Sequence, residues 1–158
     1  LTTTVSIETT PNEALEHLLI VEVGGQLFGF EASYLREVIP ARPATRIPGA
    51  PQLVKGLINL RGSLIVVADV ALRLLGASEE HADGEGSIVL VETEGKSLGL
   101  AVQDVRDVIA LGVEPIEGAA PLTSVQSSST SLCRGVGRLE GEIVIVLDVA
   151  ALARQVVA

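Results

Sequence analysis

Two histidines, His17 and His81, and one cysteine, Cys133, are the side chains that could ligate a metal or serve as base and nucleophile. They lie far apart in sequence with no ligand-spaced neighbours, which speaks against a zinc site. Ser127, Ser128, Ser129 and Ser131 form a polar run, but without a Gly-x-Ser-x-Gly turn or a nearby histidine to activate a hydroxyl. The glycines of 135-GVGRLEG-141 superficially resemble a dinucleotide loop. Their spacing is wrong, and they do not sit between a strand and a helix. Glu114 and Glu117 read as a solvated loop face rather than a catalytic pair. The chain is therefore expected to be neither an enzyme nor a cofactor or metal carrier. What remains is recognition, and the residue that invites it is Arg61, set between apolar runs in 55-KGLINLRGSLIVVADVALRLL-75.

Charge supports that emphasis. The net charge is −9, which disfavours nucleic acid and anionic membranes as partners. Yet residues 36–73 hold Arg36, Arg42, Arg46, Lys55, Arg61 and Arg73 against only Glu37 and Asp69, a local balance of +4 that leaves −13 elsewhere. Such unevenness is either scatter of solvated charges or a basic patch for an acidic partner.

The elements that would position Arg61 come from an internal repeat. The stretch 25-GQLFGFEASYLREVI-39 aligns without gaps on 95-GKSLGLAVQDVRDVI-109, and 56-GLINLRGSLIVVADVA-71 aligns on 135-GVGRLEGEIVIVLDVA-150. The sequence offset is 70 in the first pair and 79 in the second, so the second copy carries a loop nine residues longer. Each copy reads as five strands and a helix. The first strands are expected at 19–23 and 88–92, the second at 26–31 and 96–102, and the third at 35–39 and 105–111. The fourth and fifth flank the Leu-Arg-Gly and Leu-Glu-Gly trios. Gly62 and Gly141 are expected to supply positive φ for tight hairpins. Asp69 and Asp148 are expected to be N-caps of short helices at 70–75 and 149–156. Pro40, Pro43, Pro48 and Pro51 mark a stiff connector between the third and fourth strands.

The implied fold is mainly β: two tandem five-stranded barrels packed together with pseudo-twofold symmetry and a short helix after each fifth strand. Residues 1–17 read as a flexible tail, with one turn at 12–16, and residues 18–158 as a single domain. Its two repeats span about 18–78 and 87–156, and the chain is free to cross between the barrels. A repeat of roughly 60–70 residues buries little core by itself, so an intimate interface between the barrels is expected. The short, interrupted apolar runs fit no membrane-spanning helix, the N-terminus lacks signal-peptide character, and a single cysteine fits a reducing compartment. These features point to a cytoplasmic protein without direct membrane insertion.

The repeat also separates fold from function. Leu60 and Gly62 recur as Leu139 and Gly141, but Arg61 is replaced by Glu140 and Asn59 by Arg138. Either charge suits the hairpin, so Arg61 is available for recognition. Glu37 recurs as Asp107, which argues equally for a structural role.

The combination of 56-GLINLRG-62, the apolar strand ending in Asp69, 25-GQLFGFEASYLREVI-39 and the connector from Arg46-Ile47-Pro48 to Lys55-Gly56 resembles the bacterial chemotaxis coupling protein (CheW) family over nearly the whole chain. That resemblance implies two SH3-like barrels and a non-catalytic adaptor. It would be recruited to receptor arrays, joining the cytoplasmic tip of a methyl-accepting chemoreceptor to the regulatory domain of a CheA-type histidine kinase. Related domains, further adaptor copies among them, can alternate in rings. By position it implies receptor contacts at Leu35, Glu37, Val38, Asn59 and Arg61. It implies kinase contacts at apolar positions around Val54, Leu57, Val136 and Leu139. A second class stays open: a peptide- or small-ligand-binding double-barrel module outside chemotaxis.

Overall fold

The computed structural model describes residues 14–76, 85–116 and 131–157. The first half of the chain runs β1 (Ala14–Val23), β2 (Gln26–Glu31), a 3-10 turn (Ala32–Tyr34), β3 (Leu35–Pro40), β4 (Val54–Leu60), β5 (Ser63–Asp69) and α1 (Val70–Leu75). The second half repeats this as β6 (Ser87–Thr93), β7 (Lys96–Val102), β8 (Asp104–Pro115), β9 (Cys133–Leu139), β10 (Glu142–Leu147) and α2 (Val149–Val157). The second strand of each copy falls where expected, at Gln26–Glu31 and Lys96–Val102. β1 starts earlier than expected, at Ala14, inside the stretch read as tail, so residues 14–16 of the expected turn are strand, while residues 12 and 13 lie outside the described ones. The strand starts there because Ala14–His17 pair with Val113–Ala110 of β8, a partner the local sequence does not disclose.

Two five-stranded units result, and neither is made from one repeat. A closed barrel has the order β1-β2-β10-β9-β8, and the second sheet has the order β3-β6-β7-β5-β4. The chain therefore crosses twice: the closed barrel takes two strands from the first copy and three from the second, and the other sheet takes the complement. Registers obey the repeat. Leu18↔Ile109 and Leu19↔Val108 in one unit correspond to Ile88↔Ile39 and Val89↔Val38 in the other. The parallel pair Val146↔Gly29 corresponds to Val67↔Gly99. Even the irregularity before the last pair of the β4–β5 ladder, Val54↔Ala68, returns at Cys133↔Leu147.

The hairpins are of the two-residue kind whose twist suits antiparallel strands. Gly62 and Gly141 have φ of 87° and 84°, as expected. Arg61 and Glu140 precede them at φ 52° and 51°, so both central residues of each turn are left-handed. Gly56 and Gly135 recur for a different reason, close approach. A Cβ on Gly56 would lie 2.3 Å from the Thr45 carbonyl oxygen, and one on Gly135 would lie 2.8 Å from that of Glu114. The helices begin as expected: Asp69 Oδ1 accepts from Leu72 N and Asp148 Oδ1 from Ala151 N, each at 3.0 Å.

Each unit has a small interior, Leu18, Ile20, Val144 and Val146 among others in the closed barrel, and Ile88, Leu90, Ile65 and Val67 at the equivalent places in its partner. The largest core lies between them. Leu19, Val21, Phe28 and Phe30 meet Val89, Val91, Leu98 and Leu100 there, with Leu74 of α1 and Leu152 of α2 closing the edges. This is the intimate interface that two undersized units require.

Candidate docking surface

Arg61 stands at the tip of the β4–β5 hairpin, with 68% of its side chain exposed. Its guanidinium reaches back to β3, where Nη2 lies 2.5 Å and Nη1 3.4 Å from the two carboxylate oxygens of Glu37. The hydrogen bond and charge of Glu37 raise the guanidinium's already high pKa, so it stays cationic throughout the working range. An ion pair this exposed contributes little to stability. Its weight lies in holding a planar fork at a fixed place on the surface.

The repeat provides the control. Arg36–Glu92 at 2.8 Å and Arg106–Glu22 at 2.7 Å are the same ion pair in both copies, and belong to the fold. Arg61–Glu37 has no counterpart, because the equivalent residues are Glu140 and Asp107. Asp107 instead accepts from the amide of Val108 at 2.8 Å.

Of the receptor-facing candidates, Glu37 and Arg61 are joined directly, and Val38 is 40% exposed beside them. Asn59 is exposed, but its Oδ1 accepts from Gly62 N at 3.0 Å, which makes it part of the turn. Leu35 is half-buried and packs against the inter-barrel core. The kinase-facing candidates do not make a surface. Val54 and Leu139 are 7% and 8% exposed and belong to the inter-barrel core and the closed barrel's interior. Leu57 and Val136 are half-buried, with Leu57 hydrogen-bonded through its backbone to Thr45. The correction follows from strand phase: Val54, Gly56 and Ile58 alternate inward along β4, as do Cys133, Gly135, Gly137 and Leu139 along β9.

Sequence reasoning missed Leu64, at 69% the most exposed large apolar side chain among the described residues. The signal was available: Ile65 and Val67 point inward, so Leu64 occupies the solvent phase of β5. Its equivalent, Ile143, is exposed too, as are Val38 and its equivalent Val108. Each unit thus presents two apolar residues at matching positions, one set beside an Arg–Glu pair and the other beside two acids.

The residues weighed for catalysis are scattered. His17 lies in β1, exposed; Glu114 is exposed near the end of β8; Ser131 is exposed before β9. The glycine run 135–141 is β9 and its hairpin rather than a phosphate loop. His81, Ser127, Ser128, Ser129 and Glu117 lie outside the described residues. Among the described residues there is no group of three potential metal ligands, and no helix is long and apolar enough to cross a membrane.

Known proteins resemble this chain in sequence and in fold. The chain is 30% identical over 138 residues to the chemotaxis protein CheW of Klebsiella aerogenes, covering 87% of this chain and 81% of that one. It is 29% identical over 131 residues to the chemotaxis protein CheW of Rhizobium meliloti, covering 83% of each. The crystal structure of the scaffolding protein TtCheW from Thermoanaerobacter tengcongensis superposes with a TM-score of 0.71 at 26% identity, covering 85% of this chain and 89% of that one. The CheW-like domain matches residues 17–157, and with so nearly complete a match the chain belongs to the CheW-like domain family.

Proposed function

We propose that this chain couples the cytoplasmic tips of chemoreceptors to the regulatory domain of a CheA-type histidine kinase. It does so as a non-catalytic adaptor in the cytoplasm, recruited to receptor arrays. Family membership supports the scaffold role. The observation that carries the receptor contact is the Arg61–Glu37 pair, present in one copy of the repeat and absent from the other, with exposed Val38 and Leu64 on the strands that hold it. An apolar patch with a charged register mark is what a rigid helical partner needs: burial gives affinity, and the fork fixes orientation. The kinase contact is assigned to the exposed counterpart surface of the closed barrel, around Val108 and Ile143, instead of the buried Val54 and Leu139.

The Arg61→Glu substitution copies the sister hairpin and so preserves the turn. The variant should melt within about 2 °C of the parent, as a surface substitution does. It should fail to co-sediment with membranes carrying receptor and kinase. Normal co-sedimentation of a folded variant would remove Arg61 from the docking surface.

A further inference from the structure

The resemblance gave Asn59 a receptor contact; its hydrogen bonds give it other work. Its Oδ1 accepts from Gly62 N at 3.0 Å, spanning the turn that carries Arg61. Its own carbonyl accepts from Nη1 of Arg42 at 3.3 Å. Arg42 follows β3 and Arg61 reaches Glu37 on β3, so both links cross the seam between β3 and β4. These two strands are the unpaired edges of their sheet, and the backbone bridge Thr45↔Leu57 ties the connector after β3 to β4 nearby. The closed barrel meets its own seam differently. There Arg138 replaces Asn59, Leu111 and Gly112 stand at the level of Arg42, Glu140 replaces Arg61 and Asp107 replaces Glu37, and backbone pairs Glu114↔Val136 and Pro115↔Gly135 join the strands. An arginine side chain offers no acceptor, and leucine and glycine offer no side-chain donor, so neither link can form there.

We propose that Asn59, with Arg42 behind it, is a positioning residue for Arg61, fixing the hairpin tip over the seam so that the guanidinium is held toward Glu37. The turn itself does not need Asn59, because the sister turn reaches φ values within 3° of it with Arg138 in its place, 51° and 84° against 52° and 87°. What Asn59 adds is a tie between the turn's amide, the turn end of β4 and the connector after β3. Without it the tip keeps its shape but swings, and the charge that marks register is spread over a wider arc. The effect on partner binding rests on the docking reading above; the effect on Arg61 does not.

The test uses the full chain carrying Asn59→Ala, Asn59→Arg, Asn59→Asp or Arg42→Ala. The first readout is solvent exchange of the Arg61 Nε–Hε proton by NMR; the second is affinity for a soluble chemoreceptor cytoplasmic hairpin fragment as probe. Asn59→Ala and Asn59→Arg should speed exchange about tenfold and weaken the probe's binding about five- to tenfold, the scale of one lost hydrogen bond. Arg42→Ala should move both readouts the same way by less. Asn59→Asp, which keeps the acceptor, should restore both, and the melting temperature should hold throughout. In an Arg61→Ala background, Asn59→Ala should add nothing to the loss of binding. Unchanged Arg61 exchange in Asn59→Ala, or failure of Asn59→Asp to rescue, overturns the proposal. If Arg61 loosens as expected while every variant, Arg61→Ala included, binds the probe like the parent, positioning stands and the docking reading fails.

Discussion

Arg61 and Glu140 hold φ of 52° and 51° on equivalent hairpins and differ in charge, which isolates side-chain chemistry from the geometry of the turn. That contrast was legible in the sequence, because a repeat supplies its own comparison. The ion pair to Glu37 was not, since pairing depends on which strand lies across the seam. Cys133 offers a separate prediction at this scale. Burial beside the inter-barrel core pushes its thiol up to about 11 from an ordinary value of 9.0. The folded state thus keeps the proton to higher pH than the unfolded chain. Stability from this source is present below about pH 9 and is lost as pH rises toward 11, by on the order of 1 kcal/mol once solvent screening is allowed for. Urea denaturation at pH 8 and pH 10.5 should show that fall, and Cys133→Ala should lack it relative to its own value at pH 8. Equal pH slopes in the two proteins would assign the alkaline loss to other groups.

Strands, turns and caps followed from local pattern to a degree set by how local each cause is. The hairpin glycines and aspartate caps act within four residues, so the sequence announces them. Strand phase was readable along β4 and β9, and counting alternation from Gly56 and Gly135 would have placed Val54 and Leu139 inside. Two glycines allow the causes to be separated by experiment. Gly62 has positive φ with nothing within 4 Å of an added Cβ, whereas Gly135 is not among the positive-φ glycines and an added Cβ there would lie 2.6 Å from Val113 Cγ1 and 2.8 Å from the Glu114 carbonyl oxygen. Gly62→Val should therefore cost about 1–2 kcal/mol through strain. Gly135→Ala, although smaller, should cost about 3 kcal/mol or more, because β8 and β9 must move apart. Chemical denaturation ranks them, and a Gly62→Val cost equal to or above that of Gly135→Ala would refute the assignment of causes.

At the level of the molecule, the repeat predicted two barrels but could not allot strands to them. Two copies with the same pattern pair equally well within a copy or across copies, so periodicity carries no information about the exchange. The outcome has a measurable consequence. Divided after residue 80, the chain gives fragments that each hold two strands of one unit and three of the other. Neither should reach the native fold alone, and an equimolar mixture should recover the parent's circular dichroism and a one-to-one complex by size-exclusion chromatography. A first fragment that unfolds cooperatively as a monomer would show that one copy is a folding unit.

A symmetric dimer of a single repeat would have to make every substitution twice, so an arginine gained at one tip would appear at the other. Joining the copies in one chain lifts that bond between the tips. The shared interior stays matched, while each outer end can be addressed to a different partner. The crossing of strands makes those ends inseparable, so a protein with two dissimilar faces cannot lose one by dissociation.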